Sequence, residues 1–435
     1  MPKPIPGVPY VVFPGDTLSG ISYAAYGRAY KWRDIWAANK TTLLSGDPHR
    51  IYPGEVLVIP PDLELLDQKV SLRDVGIPIL PGKEQNDFTI VIDGEEMKVT
   101  SGRAIRTMDT ASDMWTATIQ WDSSDKKMRD ITSPFGYQSA QCYLGEPLLI
   151  DGYLMVVEPV SSPSGITKNL EGYSKTIDIV DSTVPKPYEQ KLVTLDARAK
   201  TLVAPMGITV VFNITDAAAL EPFEKVTADP GDTIFSHLSS LAAQRGVLVS
   251  SSIKGELEFL RTITEIDPFA MSVGTLEEGM PPVRDITIRF DSRKRFNSYT
   301  LIGNTPKKKI FTAQSIDEVV PKTRFLTEDA NDCTEGNIQK SADWKRSKQL
   351  TDALTFQLPV DGWYAPDGAL WRENTLVTVV SESMHISEGF DFLIRAVEYN
   401  YDADGNSCVL SLVPPQAYTG KPIEEPWLKG GLLGL

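Results

Sequence analysis

Asp229-Pro230-Gly231-Asp232-Thr233, running on through Leu241-Ala242-Ala243-Gln244-Arg245-Gly246, reads as a turn, a capped helix and a stop. Asp232 or Thr233 offers the capping oxygen, Phe235, Leu238, Leu241 and Ala242 fall on one helical face, and Gly246 ends it. The tetrapeptide Pro-Gly-Asp-Thr also stands at 14 to 17, and the residues downstream of each copy decide how the chain is built. After the first, Leu18, Ile21, Ser22 and Ala25 share a helical face before Gly27. A second helix from about Lys31 to Asn39 turns Trp32, Ile35 and Trp36 inward, and Ile51-Tyr52-Pro53-Gly54 turns into Val56-Leu57-Val58-Ile59, stopped by Pro60-Pro61. With Tyr10-Val11-Val12-Phe13 in front, the order is strand, helix, helix, strand. The second copy has no tryptophan-bearing second helix and no such closing strand, so the shared letters reflect helix-start physics alone. Its surroundings are mixed: Ile208 to Phe212 reads as a strand before it, Val247-Leu248-Val249 starts one after it, and Leu257 to Leu260 comes next.

On either side of this mixed stretch the texture is β. Phe88-Thr89-Ile90-Val91-Ile92 runs into Asp93-Gly94, a hairpin signal, and Glu95 to Val99 continues beyond it. Glu146 to Val157 and Ser174 to Val180 read as two more strands, separated by Ser161-Ser162-Pro163-Ser164-Gly165. Downstream, Asp285 to Asp291 alternates with Ile286, Ile288 and Phe290 on one face. Val397, Tyr399 and Tyr401 alternate with Glu398 and Asn400, Asp402 to Asn406 turns the chain, and Cys408, Leu410 and Leu412 return before Pro414-Pro415. Residues 304 to 354, with Lys307-Lys308-Lys309 and the charged run Ser341 to Lys348, read as a solvated insertion or flexible loop. The fold class is α+β, mainly β, divided into 1–62, a first β-rich unit at 63–194, a mixed α/β module at 195–280, a second β-rich unit at 281–420 and an apolar tail at 421–435.

The composition fits several folded domains. At 435 residues the chain exceeds one ordinary core, and 41% hydrophobic with 23% charged residues is common globular usage. Fifty-eight Asp and Glu against 43 Lys and Arg leave a net charge of -15, which disfavours general binding to nucleic acid or an anionic membrane. Cys142, Cys333 and Cys408 lie far apart and, with three histidines in the chain, fit no familiar metal pattern; they read as reduced and structural, and no cofactor is expected. The start MPKPIPGVPY lacks the apolar run of an export signal, and no 18 uninterrupted apolar residues occur, so the protein is expected to be soluble when made.

Residues 10 to 60 resemble the LysM module through Gly15-Asp16-Thr17-Leu18, Ile21, Tyr26-Gly27, Trp32, Ile35, Asn39 and Ile51 to Pro60. The resemblance implies a groove for N-acetylglucosamine-containing polymers between the first turn and the loop after the second helix. The residues that match are Gly15, Asp16, Thr17 and Leu18 on one side and the Asn39 to Tyr52 loop, with Ile51 and Tyr52, on the other. Capping by Asp16 or Thr17 and packing by Leu18 account for those residues equally well.

Residues 85 to 420 are similar to the baseplate hub family of contractile phage tails, the phage Mu or late control protein D-like type. The similarity rests on Asp229 to Gly246, Glu258-Phe259-Leu260, Leu370-Trp371-Arg372-Glu373-Asn374-Thr375-Leu376-Val377, Phe392 to Val397 and Leu410 to Pro415, in that order. It implies two tube-like β-barrel domains per chain and a homotrimer whose pseudo-sixfold ring meets the hexameric tail tube on one side and a three-fold spike protein on the other. The implied place is the virion tail baseplate, after synthesis in the host bacterial cytoplasm. The LysM module then serves either as an adaptor to sheath or wedge baseplate proteins, which the loop Ser45-Gly46-Asp47-Pro48 favours by its likeness to LysM modules of other baseplate proteins, or as a peptidoglycan contact.

Catalytic chemistry finds little support. His49, His237 and His385 stand alone, and Asp93, Glu95 and Glu96 suit a hairpin turn better than a carboxylate pair. A non-enzymatic hub is the expectation; a LysM-targeted peptidoglycan hydrolase and a free-standing glycan-binding protein are the alternatives. The apolar end is expected to dock on a partner, the spike or a neighbouring subunit, because Trp427, Leu428, Leu432, Leu433 and Leu435 each forgo burial worth about 1.5 to 3 kcal/mol in water.

Overall fold

The computed structural model describes residues 4, 10–14, 16–26, 32–40, 43, 50–60, 77–121, 124–163, 165–186, 188–212, 214, 217–266, 270–304, 310–330, 333–421, 423 and 425–429. Contacts divide the chain into two units, Met1–Pro78 and Ile79–Leu435.

In the first unit β1 (Tyr10–Val11) pairs antiparallel with β2 (Val56–Leu57), and between them come α1 (Leu18–Tyr26) and α2 (Trp32–Asn39). Thr17 rather than Asp16 caps α1, its Oγ1 accepting from Gly20 N at 3.1 Å. Tyr10, Val12, Leu18, Ile21, Ile35, Leu57 and Ile59 make the core, with Trp32 and Trp36 partly buried against it. The order and the inward faces are those the periodicity predicts. Gly15, Gly27, Lys31 and the loop from 44 to 49, including His49, lie outside the described residues.

The second unit opens with a β lobe: β3 (Phe88–Ile92), β4 (Glu95–Met97), β5 (Val99–Thr107), β6 (Met114–Gln120), α3 (Lys126–Ile131), β7 (Ser139–Leu144), β8 (Leu148–Ser162) and β9 (Gly165–Ser174). A mixed module comes next with α4 (Ile177–Asp181), β10 (Glu189–Val193), α5 (Leu195–Val203), β11 (Val210–Phe212), α6 (Ala217–Leu220), β12 (Phe223–Thr227), α7 (Ile234–Ala243), β13 (Leu248–Ser251), β14 (Leu257–Leu260) and α8 (Ile263–Ile266). Its core gathers Leu195, Leu202, Phe223, Ile234, Leu238, Leu241 and Phe259. Thr233 caps α7 by accepting from Ser236 N at 3.0 Å, and Gly246 takes φ 66 after it, as the opening run predicts. The second lobe has β15 (Ser272–Glu277), β16 (Thr287–Phe290), β17 (Ser298–Asn304), β18 (Ile310–Ile316), β19 (Phe325–Asp329), α9 (Ile338–Ala353), β20 (Leu354–Asp361), β21 (Leu376–Ser381), β22 (Ile386–Asp402) and β23 (Gly405–Val413), with α10 (Pro426–Lys429) after it.

The two lobes share one strand order, although β3 runs antiparallel to β7 and its counterpart β15 runs parallel to β21. Reading across the sheet, the first runs β5-β6-β9-β8-β7-β3 and the second β16-β20-β23-β22-β21-β15. A constant shift of 240 residues relates their long hairpins: Leu154 to Ile394, Val156 to Ala396 and Ser162 to Asp402 occupy matching ladder positions, and each hairpin skips one residue at the same place, Met155 or Arg395. Chemistry differs where register agrees. Trp115 of β6 faces Gly172 of β9, whose missing side chain leaves room for the indole, while at the matching pair Phe356 faces Leu412. Large plus none is exchanged for medium plus medium, which conserves core volume.

Three expectations are corrected. Among the described residues the lobes are not two closed barrels: β22 pairs with β5 over six residue pairs, from Ala396 opposite Thr107 to Tyr401 opposite Gly102, so 13 strands join into one sheet whose ladders do not return on themselves. A 17-residue β22 is long enough to serve β21 with one half and β5 with the other, which alternation along the sequence cannot reveal. Ser174 to Val180 is not a strand, since β9 ends at Ser174 and α4 buries Ile177 and Ile179, the latter in the core of the mixed module. Within 304 to 354, β17 pairs with β18 and β19, and α9 packs on them through Ile338 and Ala342; residues 305 to 309, with the three lysines, lie outside the described residues. The buried face of α9 is largely Ala, Ser and Thr, which leaves no apolar stripe to read. Among the described residues no helix is long and apolar enough to cross a membrane.

Candidate functional site

In the first unit, the turn before α1 and the turn before β2 face each other across a groove of about 660 Å³ lined by Asp16, Thr17, Leu18, Ser19, Trp32, Arg50, Ile51 and Tyr52. Asp16 is fixed from behind, its Oδ2 accepting from Phe13 N at 2.8 Å and from Tyr10 Oη at 2.9 Å. Burial first, then the bond to Asp16, pushes the Tyr10 phenol up. Tyr52 stands 48% exposed at the rim, and its N donates to Glu55 Oε2 at 2.5 Å. Leu18, Ile51 and Trp32 give the groove an apolar and aromatic side, and Asp16, Thr17, Ser19, Arg50 and Tyr52 give it donors and acceptors, the mixture an amphipathic saccharide face needs.

The structure therefore brings together Asp16, Thr17, Leu18, Ile51 and Tyr52 of the expected groove residues; Gly15 lies outside the described residues. Asn39 does not belong with them. It is 1% exposed, its Nδ2 donates to Ile35 O at 2.6 Å and Val58 O at 2.7 Å, and its Oδ1 accepts from Val58 N at 2.8 Å, so it fastens α2 to the closing segment. Arg50 lines the groove from within the expected Asn39 to Tyr52 loop, and Ser19 and Trp32 line it although nothing in their spacing marks them for it. Trp32 was legible only as a core residue because helical periodicity reports which face turns inward, not whether that face is fully covered.

A second concentration of charge lies in the larger unit, where the lobes and the mixed module meet. Arg106 of β5 donates from Nε and Nη2 to Glu373 Oε1 at 2.9 and 2.6 Å, from Nη1 to Leu149 O at 2.9 Å and from Nη2 to Ser251 O at 3.3 Å, while Nη1 lies 3.4 Å from Asp113 Oδ2. Burial opposes its charge, but Asp113 and Glu373 outweigh that and hold it above the ordinary guanidinium range. Asp113 is pushed up to about 7, mainly by burial, with Arg106 pulling down and Glu373 pushing up. Glu373 meets the same burial, yet Arg106 holds it below the usual carboxylate range. This arrangement is a fastening: the guanidinium ties β5, β8, β13 and the segment before β21 in one place.

The other chemistry-bearing residues are structural where they are described. His237 lies inside α7 and accepts from Arg198 Nε at 3.2 Å, and burial followed by Arg198 keeps it neutral, down to about 4. Asp93 and Gly94 take φ 47 and 82 in the β3–β4 turn, and Glu95 and Glu96 pair with Lys127 at 2.7 Å and Lys83 at 2.6 Å. Cys142, Cys333 and Cys408 are free thiols. Among the described residues no group of three or more His, Cys, Asp and Glu could hold a metal ion. Of the tail, Trp427 is covered by its own chain: its ring centroid lies 5.1 Å from that of Phe290 and 6.3 Å from that of Phe392, and its Nε1 donates to Glu425 Oε2 at 3.0 Å. Glu425 is held by Arg295, which also grips Asp317. The expectation that Trp427 waits for a partner is thus corrected, since burial in the chain's own core satisfies it; Leu432, Leu433 and Leu435, and the Leu428 side chain, lie outside the described residues.

Comparison with known proteins matches these parts one by one. Residues 10–60 match the LysM domain family, residues 176–261 the family described as baseplate hub protein gp44-like, second domain, and residues 334–421 the family described as Mu phage baseplate assembly protein GpP, fourth domain. The chain carries Mu-type baseplate hub domains behind a LysM domain. It is 27% identical over 297 residues to the baseplate hub protein gp44 of Escherichia phage Mu, which covers 65% of this chain and 76% of that protein. It is also similar to the 43 kDa tail protein of prophage MuSo2 from Shewanella oneidensis, whose crystal structure superposes with a TM-score of 0.65 at 26% identity over 76% of this chain and 99% of that one. The LysM domain is 53% identical over 51 residues to part of the potassium binding protein Kbp of Escherichia coli O6:H1, a match covering 12% of this chain and 33% of that protein. The gp44-like match begins at Thr176, so it takes in α4, the element that reads as a strand in the sequence.

Proposed function

We propose that this chain is the structural hub of a contractile phage tail baseplate, a homotrimer that adapts the hexameric tail tube to a trimeric spike. The observation that carries the reading is the repeated lobe: two sheets of equal strand order, fused edge to edge, let three chains present six similar surfaces. Similarity to the baseplate hub protein of phage Mu supports it. The proposed division follows the same lines, with a LysM domain, two hub β domains, the mixed module between them and the tail. The chain acts without catalysis, in the virion, after synthesis in the bacterial cytoplasm. Native mass measurement of the full chain, coexpressed with the tube and spike proteins of its own tail, should give three copies per assembly; a single copy bound to spike would refute the trimer.

The LysM domain serves as the adaptor to sheath or wedge proteins. The groove between Asp16 and Tyr52 favours a second reading, contact with peptidoglycan. Sedimentation of the full chain with purified wall decides between them: the glycan reading expects binding that Tyr52→Ala weakens about tenfold with unchanged melting, the adaptor reading expects none. Zymography on the same wall should give no clearing; a cleared band would favour a hydrolase.

A further inference from the structure

The repeat gives a prediction about an edge that none of the described residues fills. In the second lobe, β22 gives its first half to β21 and its second half, Ala396 to Tyr401, to β5 of the first lobe. In the first lobe β8 gives its first half to β7, as far as Tyr153, and its second half has β9 on one side and no strand on the other among the described residues. The same contrast holds for the strand that would fill it. β5 lies between β6 and β22, whereas its counterpart β16 ends the sheet, paired among the described residues with β20 alone. Exposure agrees: Val397 and Tyr399 on β22 are 0% exposed, while their counterparts on β8 are Val157, half-buried, and Pro159, exposed, and Phe290 on β16 is 55% exposed against 6% for Arg106 at the matching place on β5.

The register comes from the ladders. Ala104 pairs with Trp115 and Trp115 with Gly172; Ile288 pairs with Phe356 and Phe356 with Leu412, which matches Gly172, so Ile288 is the counterpart of Ala104. Ala104 faces Tyr399 in the filled joint, and the counterpart of Tyr399 is Pro159. We infer that β16 of one copy pairs antiparallel with Val156 to Ser161 of β8 in a second copy, setting Ile288 opposite Pro159, Arg289 opposite Glu158 and Phe290 opposite Val157. This deepens the hub reading and rests on it in requiring more than one copy.

Charge agrees with the register. Glu158 and Glu398 are counterparts, and Glu398, opposite Ile105, reaches diagonally across the joint to accept from Arg103 Nη2 at 2.6 Å. In the open joint the arginine across is Arg289, two-thirds exposed and 3.8 Å from Asp291, while Glu158 takes Asn169 Nδ2 on Oε2 at 2.9 Å and keeps Oε1 for the newcomer. Pro159 withholds one N–H, so the ladder loses one bond there; this also discourages pairing by foreign strands, which leaves selectivity to the side chains. Such ion pairs fix register more than they add affinity.

The test uses the full chain carrying Glu158→Cys and Arg289→Cys, coexpressed with the tube and spike proteins of its tail, oxidised, and run without reductant beside a native mass measurement. Residues directly opposite on antiparallel strands sit about 4.5 to 5.5 Å apart at Cα, within disulfide reach, whereas a Glu158→Cys, Thr287→Cys pair lies on the diagonal and out of it. Expected are covalent multimers up to a closed ring with the first pair and none with either single cysteine or the diagonal pair. A multimer in which the first pair does not link, or the diagonal pair links as well, overturns the register and leaves the hub reading standing; monomers alone overturn both. Charge reversal provides a check that needs no cysteine: Glu158→Arg or Arg289→Glu alone should weaken association about fivefold per joint, and the two together should restore it. No restoration in the double variant counts against the pairing.

Discussion

The filled joint and the open edge of the same repeat are the most informative pair of places in this protein. Ladder positions correspond residue for residue, yet the side chains at them serve different neighbours. Arg106 on β5 is buried and fastens three parts of the chain, while its counterpart on β16 is Phe290, half exposed and touched on one side by Trp427. Backbone register is what a repeat conserves; side-chain chemistry depends on whether an edge is covered inside the chain or left for another surface.

The sharpest way to break that comparison is Arg106→Leu. It leaves Asp113 and Glu373 buried without their cation, and should cost about 3 to 5 kcal/mol in denaturant unfolding of the larger unit. Next in size, Val397→Ala on the filled edge should cost about 2 kcal/mol, against under about 1 for Val157→Ala on the open edge of the isolated chain, since only the first is fully buried. Equal costs would mean that the β8 edge is covered after all.

The pH dependence of the joint is smaller and has a definite sign. Asp113 is pushed up to about 7, so the folded chain holds a proton that the unfolded chain releases near about 4; its contribution is fully present below that and is lost as pH rises through 7. His237, held down to about 4, works the other way, contributing above about 6.5 and losing that as pH falls. Asp113→Asn should therefore gain in melting temperature relative to the natural chain between pH 5 and pH 8, and His237→Gln should gain between pH 7 and pH 5. Differences that stay constant with pH would show that neither group titrates as its burial implies. The smallest effect belongs to the exposed carboxylates: Glu398→Gln should cost about 0.5 kcal/mol through its pair with Arg103, and Glu158→Gln nothing in the isolated chain.

Much of the fold was legible locally. The LysM order, the cap and stop of α7, the Asp93-Gly94 hairpin and the β22–β23 pair come from short-range periodicity and turn chemistry, because a few neighbouring residues settle each of them. The helix α9 escaped because its buried Ser347 and Thr351 bond to Asp343 O and Ser347 O and pack without an apolar stripe. The repeat is implied by the family resemblance but is not spelled in the residues themselves, for a related reason: Trp115 with Gly172 and Phe356 with Leu412 fill equal space with different letters. Within the groove, turn residues flanking α1 and β2 were legible, but Asn39 and Trp32 were read with their roles exchanged, since burial depends on what the distant closing segment covers.

By itself the sequence determined the element types, the two β-rich regions flanking a mixed module, the LysM head and the absence of an obvious catalytic motif, since these depend on residue type and spacing along one strand or helix. Only the tertiary structure decided which edges meet: that β22 reaches past its own lobe to β5, that Trp427 folds back on its own sheet, and that β8 and β16 keep open edges among the described residues. Strand pairing joins residues hundreds of positions apart through backbone groups that every residue type shares, so the letters carry almost no record of the partner chosen.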